Sequence, residues 1–92
     1  MLDPPPNTAL REHARGFEEL VEDRLRPIVH QIEHAGDLGL HRISVEATER
    51  ALLRLALART GGNQKAAAAL LGLARNTLRA KVIKLGLNET DT

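Results

Sequence analysis

Residues 63–85, NQKAAAALLGLARNTLRAKVIKL, contain two short helical patterns separated by a glycine. The side-chain oxygen of Asn63 is suited to capping a helix over 64–71, and Gly72 can adopt the positive φ that ends a helix. A last helix then runs over about 75–85. Both segments are too short to be stable alone, so they must pack on each other and on the preceding chain.

The small and apolar residues of this stretch predict how its two helices pack. They are Ala67, Ala68, Leu71, Leu73, Leu78 and Val82. The second helix then has a free side that carries Arg75, Asn76, Arg79 and Lys81. A polar helix face held in this way is typical of a helix-turn-helix whose second helix enters the major groove of DNA. The alternative is a solvated basic face on a small helical bundle.

Charge is distributed unevenly along the 92 residues, although the formal net charge is only +1. Residues 1–49 carry five basic and ten acidic side chains, whereas residues 50–88 carry eight basic side chains and no acidic one. Lysine and arginine bind phosphates and carboxylates repel them. The acid-free segment therefore favours a polyanionic partner over a merely solvated face.

Residues 62–87 resemble the Fis-type helix-turn-helix, which occurs in Fis and at the C-terminus of NtrC-like response regulators. The resemblance rests on the motifs G-N-Q, A-A-x-L-L-G and R-N-T-L-R-x-K and extends, without a gap, over about 44–88. It implies an all-α fold with four helices per chain. It also implies a homodimer in which two long helices of each chain intertwine, with the helix-turn-helix units at the ends of this core.

The same resemblance implies roles for individual residues. Asn63 and Lys65 would contact phosphates, Arg75 would bind a base edge, and Thr77, Arg79 and Lys81 would hold phosphates. The full predicted DNA-binding set is Asn63, Lys65, Arg75, Asn76, Thr77, Arg79, Lys81 and Lys84. Gly62 and Gln64 match a surface that contacts RNA polymerase in Fis, but Gly61 replaces an arginine there.

The sequence also departs from the family pattern. Ala74 stands where the family often has a polar residue, Ala80 and Ile83 replace lysines, and the N-terminal arm is short for the hairpin that serves recombination in Fis. These differences predict weaker DNA binding than in Fis and no recombination role.

The N-terminal half is predicted to build the dimer. An extended arm over 1–7 precedes a long helix that begins at Asn7 or Thr8 and continues to Ala35, with a kink or break at Pro27. Residues 8–60 form the predicted dimerisation segment, 61–88 the DNA-binding unit and 89–92 a tail. The candidate dimer residues are Phe17, Val21, Ile28, Leu52 and Leu55.

The second helix is predicted to follow a turn over 36–39, to be capped by Ser44 and to end at Gly61 and Gly62. Residues 51–58 are apolar on almost every side, and such a helix must be buried on several faces. In a chain this short, a second copy is the simplest cover. Arg54 and Arg59 are then expected to pair with glutamates of the partner chain rather than to flank DNA.

Composition excludes several other classes of protein. The chain has no cysteine, one aromatic residue and no apolar run long enough to span a bilayer, so no disulfide framework or membrane contact is predicted. His30, Glu33 and His34 match H-x-x-E-H, but the motif is short and lacks a third ligand, and it is more simply a helix end with two histidines. No metal, cofactor or catalytic site is predicted.

The sequence thus predicts a cytoplasmic, nucleoid-associated transcriptional regulator that binds duplex DNA as a dimer. Two alternatives remain open. The chain could be the detached DNA-binding output domain of an NtrC-like activator, or a helical interaction module whose basic half holds an acidic protein.

Overall fold

The computed structural model describes residues 6–32 and 39–87, and these residues form four α-helices and no β-strand. The helices are α1 over Pro6–Gln31, α2 over Leu40–Arg59, α3 over Gln64–Leu71 and α4 over Arg75–Lys84. The predicted all-α class is therefore confirmed. The chain divides into two compact units, one containing α1 and the other beginning at Gly39 and containing α2, α3 and α4.

Helix α1 is continuous through Pro27, so of the predicted kink or break the break does not occur, and the kink stays a prediction. Proline removes one backbone hydrogen-bond donor, and water can satisfy the carbonyl group that loses its partner on an exposed helix. The helix also starts slightly earlier than predicted, at Pro6, where a proline in the first turn loses no helical hydrogen bond. The helix ends at Gln31 and Ile32 is not helical, so the predicted continuation as far as Ala35, itself outside the described residues, is wrong.

Helix α2 begins four residues before the predicted cap, so the assignment of Ser44 as N-cap is wrong. Gly39 precedes the helix in the left-handed conformation, at φ 68°, and its carbonyl accepts a hydrogen bond from the Ile43 amide at 2.9 Å. Ser44 lies inside the helix, where its carbonyl accepts a bond from the Thr48 hydroxyl. Positions 36–38 of the predicted turn are outside the described residues.

The end of α2 agrees with the prediction. Gly61 and Gly62 both have positive φ, 65° and 87°, and the Gly62 amide donates to the Leu57 carbonyl at 2.8 Å. The Thr60 hydroxyl donates to the Ala56 carbonyl at 2.9 Å. These bonds satisfy carbonyls at the end of the helix that no further turn could reach.

The predicted caps of α3 are confirmed. The Asn63 side chain accepts a hydrogen bond from the Ala66 amide at 3.0 Å, and Gly72 follows the helix with φ 74°. The Leu73 amide donates to the Ala68 carbonyl at 2.9 Å, which closes the turn toward α4. Helix α4 ends at Lys84, one residue earlier than predicted.

Helices α2, α3 and α4 share one core. Its buried residues are Leu53, Ala56, Ala67, Ala68, Leu78 and Val82, and partly buried leucines surround it. Alanines on α3 let the flanking helices approach closely, as predicted. Because α2 belongs to this unit, the division of the chain falls within the segment 8–60 that was predicted to form the dimer.

The structure offers no membrane-spanning helix among residues 6–32 and 39–87, because none of the helices there combines the required length and apolarity.

We expect Leu78→Ala to lower the free energy of unfolding by about 2–5 kcal/mol, because it leaves a cavity in the small shared core. Ile83→Ala is the control. Ile83 is exposed on the same helix, so this change should alter the free energy of unfolding by no more than about 0.5 kcal/mol. Urea denaturation followed by circular dichroism measures both. Equal losses would contradict the described core.

Candidate nucleic-acid interface

The polar residues predicted to bind DNA lie on the α3–α4 unit, defined as residues 63–85, and most of them are exposed. The exposed members are Asn63, Lys65, Arg75, Asn76, Thr77, Arg79 and Lys84. Lys81 alone in this predicted set is half-buried. No acidic residue occurs between 50 and 88, so no carboxylate within the unit can neutralise its cations.

Helix α4 carries its cations in two rows beside its buried face. Leu78 and Val82 are buried and attach the helix to the core. Helical periodicity places Arg75 and Arg79, one turn apart, along one flank of that face. The other flank carries Thr77, Lys81 and Lys84.

The stripe of α4 farthest from the core is weakly polar. Periodicity assigns it Asn76, Ala80 and Ile83, and all three are exposed. The helix therefore presents two cationic flanks and a nearly neutral ridge. An elongated surface of this kind is suited to a groove with phosphates on both sides.

The start of α3 adds a second polar element to the unit. Asn63 uses its side-chain oxygen to cap the helix, while its NH2 group takes no part in that bond. Exposed Lys65 lies in the first helical turn, where backbone amides without helical partners favour anions. Ala74 makes no side-chain cap bond at the start of α4.

Lys81 differs from the other cations of the α3–α4 unit because it is paired with a carboxylate of α2. Its Nζ lies 2.6 Å from Oε2 of Glu49 on α2, and the two side chains are only 33% and 32% exposed. Lys81 was predicted to be a phosphate contact, and Glu49 was not among the predicted site residues. Thirty-two residues separate the two, so no local pattern reveals the pair.

Comparison with known proteins identifies the segment that contains this unit. Residues 44–85 match the family model described as bacterial regulatory protein, Fis family. This segment, which is less than half of the 92 residues, is similar to the Fis family, and we call it the Fis-family segment. The match covers most of α2 and all of α3 and α4, which are the helices that share the buried core.

Several relatives are similar to parts of this chain. A Fis-like DNA-binding protein of Neisseria meningitidis is 43% identical over 49 residues, which is 53% of this chain and 62% of that protein. The DNA-binding transcriptional regulator NtrC of Azospirillum brasilense is 49% identical over 49 residues, but these make up only 10% of its length. The DNA-binding protein Fis of Glaesserella parasuis is 28% identical over 81 residues, 88% of this chain and 83% of that protein.

The chain covers different fractions of the lengths of these relatives. The chain spans about 62% of the length of the Neisseria relatives, and a small fraction of the NtrC proteins. No solved structure gives a significant match to the chain.

Outside the Fis-family segment, the predicted sites are only partly visible. His30 of the H-x-x-E-H motif lies in α1, whereas Glu33 and His34 are outside the described residues. Within residues 6–32 and 39–87, no group of three histidine or carboxylate side chains is placed to hold a metal ion. Arg54 and Arg59 are exposed on α2.

Substitutions of Asn63 test whether its capping side chain stabilises the fold although it is exposed. We expect Asn63→Ala to lower the free energy of unfolding by about 1 kcal/mol, and Asn63→Asp to retain nearly all of it, because aspartate caps helices as well as asparagine. Asn76→Ala, at an exposed asparagine of the same unit, is the control. Urea denaturation tests this, and an Asn63→Ala variant as stable as Asn76→Ala would contradict the cap's role.

Proposed function

We propose that this protein binds double-stranded DNA as a homodimer and regulates transcription, with α4 as the recognition helix in the major groove. One observation carries the proposal. Helix α4 is fixed to the core by Leu78 and Val82 while cations stay exposed along its flanks, in a segment without any carboxylate. The names of its relatives, Fis-like DNA-binding protein and DNA-binding protein Fis, support this function.

The exposed residues divide into two roles in this proposal. Arg75, in the first turn of α4, reads a base edge, since a guanidinium can bond O6 and N7 of guanine together. The phosphate contacts set the position of the protein on the duplex. They comprise Asn63, Lys65, Thr77, Arg79 and Lys84.

The exposed apolar face of α2 supports the homodimer. Val45, Leu52 and Leu55 lie along one side of the helix, and all three are exposed; Leu55 is 70% exposed, whereas Leu53, which belongs to the core, is 2% exposed. Large apolar side chains in a row mark an interaction surface. A second copy would cover this face and, through two-fold symmetry, present two recognition helices to one duplex.

Helix α1 also contributes to the proposed dimer. Phe17, Ile28 and the half-buried Val21 follow the apolar spacing of an amphipathic helix. Among the described residues, the ring of Phe17 stacks on His13 of the same helix, at 6.2 Å between centroids. We therefore assign these residues, together with Leu52 and Leu55, to the dimer interface.

A second form of the function comes from the NtrC relatives. The chain would then act as the DNA-binding output segment of a longer activator, using the same contacts. A reporter promoter with a selected binding site distinguishes the two forms. If the 92-residue chain changes transcription when expressed alone, it acts as a regulator itself, directly or through RNA polymerase. If it only occupies the site, it acts as an output segment.

The DNA-binding proposal predicts a loss of sequence preference in Arg75→Ala. We expect this variant to bind its selected duplex about 1–3 kcal/mol more weakly and a random duplex almost unchanged, because it removes a base contact. Lys84→Ala should weaken both duplexes alike and reduce the slope of log affinity against log salt by about one. Fluorescence anisotropy over a salt series measures both effects.

Arg24→Ala removes the same side chain from the acidic half and serves as the control, with no expected change. If the protein shifts no duplex even at low salt, it does not bind DNA, and the interaction module with an acidic protein partner becomes the better assignment.

The dimer proposal predicts that Leu55→Asp is monomeric, because a carboxylate on the apolar face loses its hydration on association. Ala47→Asp, at an exposed position outside this face, should remain dimeric. Sedimentation equilibrium gives the mass of each variant. Dimeric Leu55→Asp, at the concentration where the wild type is dimeric, would place the interface elsewhere.

A further inference from the structure

We propose that Lys81 is a positioning residue: α2 holds it through Glu49, and the resulting ion pair fixes the orientation of the recognition helix on the core. Lys81 is then not one of the phosphate contacts. This inference rests on the DNA-binding function proposed above and adds a second residue, Glu49, to its machinery.

The Glu49–Lys81 pair is unlike the other ion pairs of the described residues. Those join residues three or four positions apart on one helix: Arg26 with Asp23, and Arg42 with Glu46. Glu49 and Lys81 instead connect α2 with α4, at 2.6 Å and with about two thirds of each side chain buried. A partly desolvated pair at this distance interacts more strongly than an exposed one.

The apolar core does not by itself fix the rotation of α4 about its axis, and the Glu49–Lys81 pair can fix it. Leu78 and Val82 attach α4 to the core, but apolar contacts are not directional, and α4 packs against small alanines of α3. A charged hydrogen bond at the edge of the core is directional. Rotation of α4 about its axis would separate Nζ of Lys81 from the Glu49 carboxylate, so the pair selects one rotational setting of Arg75 and Asn76.

The same pair removes Lys81 from phosphate binding. To reach a phosphate, the ammonium group would have to leave Glu49, whose carboxylate would stay partly buried without its partner. That carboxylate would also repel the phosphate. The cations of α4 that remain for the duplex are Arg75, Arg79 and Lys84, which are all exposed.

The test compares Glu49→Gln, Lys81→Met and the double variant, which keeps the wild-type net charge. Each full-length protein is titrated into its selected duplex and a random duplex over a salt series, after circular dichroism has shown that it is folded under those conditions. A positioning role predicts that each single variant binds the selected duplex about threefold to tenfold more weakly. Random-duplex affinity and the salt slope should not change, and the double variant should be no weaker than either single one.

Lys84→Met is the matched control, with an expected decrease of about one in the salt slope. A phosphate contact through Lys81 predicts the opposite pattern: Lys81→Met lowers the slope by about one, and Glu49→Gln tightens binding because it removes a competing carboxylate. That pattern would overturn the proposal, and so would equal weakening of both duplexes. Failure of the wild type to bind any duplex would instead overturn the DNA-binding function itself.

A charge-reversed variant covers the case in which the single variants unfold. Glu49→Lys combined with Lys81→Glu restores an ion pair between the same positions. We expect this double variant to fold and to keep the wild-type preference for the selected duplex over the random one. A folded double variant without that preference would show that the pair does not set the orientation of α4.

Discussion

The burial of Ala67 and Ala68 on α3 is the constraint on which the rest of the DNA-binding unit depends. Both side chains are almost completely buried, in a core that also includes residues from α2 and α4. A larger side chain at either position would force the helices apart. Glu49 could then no longer meet Lys81, and the cationic flanks of α4 would shift. The position of every proposed DNA contact on α4 therefore depends on two methyl groups.

So compact a core has a further consequence for assembly. The unit that begins at Gly39 buries six apolar side chains, three of which are alanine, and leaves Leu52 and Leu55 exposed. Little apolar area is removed from water in this way, and small domains have little stability in reserve. A second copy packed on the exposed face of α2 would remove additional apolar area of this unit from water. Dimerisation would thus support the fold as well as pair the recognition helices.

The sequence predicted the α3–α4 unit well because its signals are local. Asn63 caps a helix that begins at the next residue, and Gly72 ends the helix through its own φ. The errors arose where local signals compete. Ser44 is a good capping residue, but Gly39 lies earlier and can start the helix at Leu40. Pro27 was predicted to kink or break the helix, and α1 continues for only four residues beyond it.

Lys81 shows a different limit of sequence reasoning. Its position in α4 and its type fit the phosphate contacts of the Fis-type pattern, and residues 50–88 contain no carboxylate that could compete for it. The competing group is Glu49, the last acidic residue before this segment, and only the packing of α2 on the core brings it to Lys81. The charge pattern therefore has two parts. Its acid-free length keeps the other cations of the α3–α4 unit available for the proposed DNA contacts. At its boundary, Glu49 supplies the carboxylate that pairs with Lys81 and that we propose to hold the recognition helix in place.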